Sequence, residues 1–239
     1  MFAHRLTADP VELAFTDRLG GVSASPYDAL NLARVSDDDP GAIRDNWRLV
    51  LEAFAPDGAT LCDMQQVHGA EVALADPGAD AAPVCDAIVT DRTDVVLAVR
   101  VADCVPVLLA DPAAGVVGAA HAGRLGVQQD VVGATVARMR DLGARDVTAW
   151  VGPHVCGSCY EVPPAMQDEV AAAEPSTRST TSWGTPALDL GAGVRAQLER
   201  AGVTVELLGP CTLESDSLYS HRRDGAAAGR LAGLVRVRP

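Results

Sequence analysis

The chain has 239 residues, 48% of them hydrophobic, and a net charge of −13 in which every basic residue is an arginine. This supports one large domain or two small ones, and it excludes lysine Schiff-base chemistry and disfavours nucleic-acid binding, which needs a basic surface. The longest apolar stretch, Val95 to Ala122, is broken by Arg100, Asp103 and Asp111, so no segment is expected to span a bilayer, and the opening residues lack the pattern of a leader, which points to the cytoplasm.

In chain order, "LAFTDRLGGVSASPYDALNLA" reads as a short strand followed by a turn-rich loop. Asp39-Pro40 marks a helix start, after which Ile43, Trp47, Val50, Leu51 and Phe54 follow helical spacing. "ATLCDMQQVHGAEVALAD" reads as strand, loop and strand, with His68-Gly69 at the turn. The β-branched stretch from Cys85 to Gly123 predicts several strands. Val127, Val131, Thr135, Met139 and Leu142 share one face of a single helix that Gly143 ends. "DVTAWVGPHVCGSCYEV" is a strand running into a glycine-rich loop, and a helix is expected from Pro164 to Ala173. The Ser/Thr/Pro-rich "EPSTRSTTSWGTPA" is expected to be a mobile loop. A helix ("LDLGAGVRAQLERAG"), a strand ("TVELLG"), a long loop and a final strand ("LAGLVRVRP") complete the chain. No repeat and no interdomain linker is visible.

One stretch poses a chemical question. "VADCVPVLLADPAAGVVGAAHAGRLG" reads as a buried hairpin turning at Ala113, yet it carries a thiol at Cys104 and an imidazole at His121. In such a hairpin, residues whose numbers sum to about 226 face each other, so Cys104 and His121 should lie nearly opposite. Their Cβ atoms would be about 5 Å apart, close enough for a thiolate–imidazole contact or two ligands of one metal. The helix expected just beyond His121 would present N–H groups that favour an anion. The plain alternative is a packed cysteine and a hydrogen-bonded histidine.

The ordered motifs "FTDRLGGVS", "MQQVHGAEV", "VADCVPVLLADP", "AAHAGRLG", "GPHVCGSCYEV" and "YSHRRDGAAAGR" resemble the YfiH-like family, also described as laccase-domain or multicopper polyphenol oxidoreductase-like and as purine nucleoside phosphorylase. The resemblance runs from about Phe15 to Val235. It implies an α+β fold, a single domain over 1–239 with mixed β-sheets layered α/β/β/α. It also implies a metal site of His68, Cys104 and His121, usually taken as zinc, with copper as an alternative. The implied substrates are purine nucleosides and phosphate: phosphorolysis of adenosine, inosine and methylthioadenosine, with deamination of adenosine as a side reaction. Two departures stand out. The family's frequent "HAGWRG" is "HAGRLG" here, with Arg124 and Leu125 in the altered positions, and His154 and Cys156 stand where small residues are common.

Three protein ligands leave a fourth position open, the arrangement of a catalytic zinc, and zinc lowers the pKa of bound water towards neutrality, which suits attack on C6 of adenosine. Arginine forks suit phosphate, and Arg18, Arg48, Arg222 and Arg223 lie in or near the motifs. Asp103, beside the cysteine, is the candidate to orient a ligand imidazole or handle a proton. Asp86 and Asp224 are weaker candidates, and "RRDGAAAGR" is an anion loop or a glycine-rich turn.

Other classes remain open at this stage. Cys104 and His121 alone would also suit a cysteine hydrolase, such as an amidase editing peptidoglycan precursors. His68 discriminates, because a dyad does not need it and a metal does. A copper polyphenol oxidase would require a multicopper centre rich in imidazoles, and the chain has five histidines in all. Cys156 and Cys159 form a C-x-x-C, redox-active or half a zinc site, with no second C-x-x-C to complete it.

Overall fold

The aliphatic runs become two sheets packed face to face, with helices outside them. The computed structural model describes residues 1–239. Its first half contains β1 (Phe2–Ala8), β2 (Val11–Thr16), α1 (Pro40–Phe54), β3 (Thr60–Cys62), β4 (Val72–Leu74), β5 (Ala87–Thr90), β6 (Val95–Val101), β7 (Val105–Asp111) and β8 (Val116–Ala122). Then come α2 (Arg124–Gln128), α3 (Val131–Asp141), β9 (Thr148–Val151), α4 (Pro164–Ala173), β10 (Arg178–Thr180), β11 (Pro186–Leu188), α5 (Leu190–Arg200), β12 (Thr204–Leu207), α6 (His221–Asp224) and β13 (Leu231–Val237).

One sheet has the order β1-β2-β13-β6-β3 and the other β12-β9-β7-β8-β5-β4. Both are mixed: β3 pairs with β6, β4 with β5 and β12 with β9 in parallel, and the remaining pairs within them are antiparallel. Side-chain alternation assigns the layers. On β6, Val95, Leu97, Val99 and Val101 enter the core between the sheets, where they join Phe15, Leu108 and Val117. Val96 and Ala98 point the other way, towards Val50 and Phe54 of α1. On β7, Leu108 and Ala110 face the other sheet, while Val105, Val107 and Leu109 pack with residues of α2, α3, α4 and α5. The result is the expected α/β/β/α layering. The central strands read as unbroken apolar runs because both of their faces are covered. No helix is long and apolar enough to cross a membrane.

The α1 start is as expected: the Asp39 carboxylate accepts the Gly41 and Ala42 N–H groups ahead of Pro40. Two local expectations are corrected, and one element is added. The single helix expected beyond His121 is two, α2 and α3, because Asp130 adopts a left-handed φ of 57° and its carboxylate accepts the Gly133 N–H, capping a new helix. The expected mobile loop after α4 folds into the β10–β11 hairpin. Its Thr181 hydroxyl accepts the Thr185 N–H, so hydroxyl-bearing residues here serve a turn. The N-terminal residues, which carried no strand expectation, form edge strand β1.

The long loop between β2 and α1 is held by buried polar groups. Asn46, fully buried on α1, donates to the Ser23 hydroxyl and to the Ala29 and Asn31 carbonyls, and accepts the Val22 N–H. Asn31 donates to Asp38 and accepts the Arg230 N–H, which ties this loop to the segment entering β13. Truncating Asn46 strands several buried groups, each needing a partner. Asn46→Ala should therefore cost roughly 2–4 kcal/mol. Urea unfolding should show a lower midpoint with an unchanged slope.

Candidate metal centre

The β7–β8 hairpin sets the first two donors. Its register pairs Pro106 with His121 and Val105 with Ala122, so Cys104, one step before β7, lies across from Gly123. Paired residue numbers sum to 227 rather than the expected value of about 226, so Cys104 and His121 are not nearly opposite but diagonal neighbours on the same face. The third donor, His68, comes from the β3–β4 loop in a left-handed conformation with φ 62°, which a non-glycine residue adopts only when its surroundings hold it there.

Asp86 supplies that hold. Its fully buried carboxylate accepts the backbone N–H groups of Val67, His68 and Gly69 at 3.1, 2.9 and 2.7 Å. The same carboxylate lies 2.7 Å from Nδ1 of His121. That bond engages Nδ1 and leaves Nε2 as the free ligand atom. The His68 Nε2 and Cys104 Sγ atoms are 3.8 Å apart, the two imidazole rings meet edge to face with centroids 4.8 Å apart, and the donor atoms of all three residues lie within 4.8 Å of one another. A Cβ on Gly123 would stand 2.6 Å from His68 Cδ2 and 3.3 Å from Cys104 Sγ. Only glycine leaves room for this approach.

The electrostatics are those of a preformed ligand set. Burial works against a Cys104 thiolate, but His121 and His68 outweigh it and hold the thiol at about 6. Burial also works against a charged His121, but the Cys104 thiolate and the Asp86 carboxylate push it to about 9. The arrangement favours a thiolate–imidazolium pair, with His121 buried and Cys104 half-buried at the cavity wall. A metal ion held there would take the place of the imidazole proton on Nε2. A thiolate with two imidazoles and an open fourth position fits a borderline cation such as zinc or copper.

His68 and Cys104 form a wall shared by two cavities. The first, about 490 Å³, is also lined by Arg34, Gln66, Arg100, His121, His221 and Arg230. The second, about 410 Å³, is lined by Arg124, Leu125, Val155, Tyr160, Leu190, His221 and Arg222. In the first, Arg34 and Arg100 are both committed to Asp63. The Arg230 guanidinium meets only the Ala228 and Gly229 carbonyls and has no carboxylate partner. Burial disfavours its charge, so an anion there would gain strongly.

The other residues singled out from sequence are scattered. Asp103 does not reach the imidazoles. Its φ is 84°, and its carboxylate accepts the Thr212 hydroxyl and the Arg222 N–H, so it fastens the loop ahead of α6. The orienting role expected of it belongs to Asp86, whose strand neighbour Ala87 pairs with Ala120 beside His121. Arg48 is a surface residue of α1 paired with Asp45 and Glu52, and it lines neither cavity. Arg18 is bonded to Asp28 and stacks 4.7 Å from the Tyr219 ring centre. Arg223 is spent on the carbonyls of Thr212, Leu213, Ser215 and Leu218 and on Asp224. Of the four arginines expected at the substrate, Arg222 alone lines a cavity, donating to the Glu161 carbonyl and lying over Tyr160 at 4.9 Å. Arg230, His221 and Tyr160 went unassigned from sequence. The bend "AAAGR", which buries Arg230 without a nearby acid in the chain, was the available signal.

The family described as multi-copper polyphenol oxidoreductase laccase matches residues 12–238. The chain belongs to this family. Its relatives include proteins named purine nucleoside phosphorylase: one from Streptomyces coelicolor is 51% identical, covering 98% of this chain and 99% of the relative. Another, from Streptomyces griseus, is 55% identical over 93% of this chain and 92% of the relative. Among solved structures, YlmD from Geobacillus stearothermophilus superposes with a TM-score of 0.88 at 30% identity, covering 100% and 99% of the two chains. Protein NMB0706 from Neisseria meningitidis gives 0.86 at 34% identity, covering 98% and 99%. The laccase family name implies a metal, and the donor set here matches one mononuclear centre rather than a copper cluster.

Two outcomes are expected. Asp86→Asn removes the charge behind His121 and should weaken metal binding about 10- to 100-fold in chelator competition, with the fold retained by circular dichroism. In metal-free protein, iodoacetamide labelling of Cys104 should rise as pH increases through about 6, well below the ordinary cysteine range. A labelling midpoint above 8 would contradict the thiolate–imidazolium pair.

Proposed function

We propose that the chain, working as one unit over 1–239, is a zinc-dependent purine nucleoside phosphorylase acting on adenosine, inosine and methylthioadenosine, with deamination of adenosine as a side activity. The observation that carries this reading is the wall of His68 and Cys104 between two unlike cavities. One holds Arg230, a half-buried cation bonded only to two carbonyls, and the other sets Tyr160, Leu125, Val155 and Leu190 beside Arg124 and Arg222. The names of the relatives point the same way.

In this reading phosphate enters the first cavity and meets the Arg230 guanidinium, a fork suited to two phosphate oxygens. The purine lies in the second cavity against Tyr160 and the aliphatic side chains, flanked by Arg222 and Arg124. The ribose spans the shared wall. A phosphate oxygen forms a bond to C1′, the C1′–N9 bond breaks, and its electron pair leaves on the purine, which takes up a proton. His221 lines both cavities and is the imidazole there outside the ligand set, so it is assigned proton delivery. The metal, held by His68, Cys104 and His121, would supply positive charge beside the reacting groups. Asp86 keeps both imidazoles in place throughout. Deamination would instead add water at C6 of adenosine, break the bond from C6 to the exocyclic nitrogen and release ammonia, leaving inosine.

The thiolate–imidazolium pair also suits a Cys104–His121 hydrolase, and one variant separates the two. Under the metal reading, His68→Ala should lose most of its zinc and its turnover, and Cys104 should label faster with iodoacetamide. Normal turnover in folded His68→Ala protein would leave the hydrolase as the better account. With wild-type protein, adenosine and phosphate should give adenine and ribose 1-phosphate, with inosine as a minor product. Arg230→Gln should raise the KM for phosphate by about tenfold or more, the worth of one charged hydrogen bond, with the KM for nucleoside little changed.

A further inference from the structure

Half of the cysteines lie away from the catalytic centre and meet at one point. The parallel pairing of β12 with β9 sets Leu207 beside Val151, so the loops that follow the two strands leave the sheet side by side. The first carries Cys156 and Cys159 in a tight turn, in which the N–H groups of Cys159 and Tyr160 donate to the Cys156 carbonyl at 3.0 and 3.1 Å. The second carries Cys211 and Glu214. The loops are stitched by the Thr212 N–H donating to the His154 carbonyl and by the Cys156 N–H donating to Cys211 Sγ at 3.3 Å. The three sulfurs and a Glu214 carboxylate oxygen lie within 4.8 Å of one another.

We propose that Cys156, Cys159, Cys211 and Glu214 form a second, structural zinc site. Tetrahedral zinc with bonds of about 2.3 Å holds its sulfurs about 3.8 Å apart, so small side-chain rotations bring this set to bonding distance. Four protein ligands close the coordination shell, unlike the three-donor centre at His68, and thiolate donors select zinc over magnesium or calcium. The C-x-x-C turn supplies two ligands, as in zinc-binding loops generally. The second half is a C-x-x-E, which is why no matching C-x-x-C occurs. The N–H bond to Cys211 is of the kind that steadies a thiolate ligand. Binding converts three thiols to thiolates and releases three protons, and with the glutamate carboxylate the site carries two net negative charges.

The site has a structural consequence for the catalytic region. Its two loops carry Tyr160, on the wall of the second cavity, and Thr212, whose hydroxyl donates to Asp103 beside Cys104. Zinc there would pin the back of the substrate cavity without touching substrate.

The two sites share no residue, so they can be counted separately. Protein purified with reductant and added zinc, then dialysed, should hold about two zinc ions per chain by elemental analysis. The double variant Cys104→Ala/His121→Ala should keep about one, and loading it with cobalt(II) should give thiolate-to-metal charge-transfer absorption. Adding Cys211→Ser should abolish both signals. Glu214→Gln, at the exposed ligand, leaves the three thiols intact and should weaken zinc in chelator competition by about tenfold or more. The proposal is overturned if the folded double variant binds no zinc and shows no thiolate–cobalt band. It is overturned equally if Glu214→Gln leaves affinity unchanged, or if intact mass shows a disulfide among these cysteines in reduced protein.

Discussion

The Asp86 carboxylate is the contact on which the candidate metal centre depends. It is fully buried, where a bare carboxylate would be strongly disfavoured, and four hydrogen-bond partners compensate for its lost hydration. Those bonds, led by His121, keep it ionised below the usual carboxylate range despite burial. Three of them fix the backbone of the His68 loop, including the left-handed His68 itself. The fourth sets the tautomer of His121. One side chain therefore aligns two imidazoles that lie far apart in the chain.

The sheets make that alignment possible. Because β7 and β8 are covered on both faces, they are rigid and nearly featureless in composition, and chemistry is confined to their ends. Cys104 and His121 sit where the strands emerge from the core, at a small residue, Gly123, that lets the β3–β4 loop close over them. The apolar hairpin suits a thiol beside an imidazole because its low-dielectric walls strengthen their mutual attraction and so favour the thiolate. The same arrangement explains the unlike cavities. Arg34 of the β2–α1 loop, Arg100 of β6 and Arg230 ahead of β13 collect on one side of the wall, and Leu125, Val155 and Leu190 collect on the other beside Arg124 and Arg222.

Arginine was the least legible element. Nineteen identical basic residues carry no local label for function, and their roles follow from what lies within reach of each guanidinium. Arg48 meets acids one helical turn away, which its own sequence context, with Asp45 and Glu52, was enough to suggest. Arg223 is absorbed by carbonyls of a loop whose path no periodicity describes. Arg230 differs because burial deprives it of acids without supplying an anion, and that property exists only in the folded chain.

The sequence by itself determined most of the local structure and pointed to the candidate donors. Alternation and helical spacing placed most elements, Asp39-Pro40 started α1 where expected, and the hairpin spacing brought Cys104 and His121 to the same end of the β7–β8 pair, because these depend on residues close in the chain. The register that puts them on one face came from the folded sheet. Tertiary structure alone decided which groups serve them. Asp103 adjoins Cys104 yet turns to Thr212, while Asp86 reaches His121 through the β5–β8 pairing. Cys211 reaches Cys156 through the β9–β12 pairing in the same way. Strand partners are chosen by burial of whole faces, a property summed over the entire chain, so the loops that those strands bring together are not written in any short stretch of it.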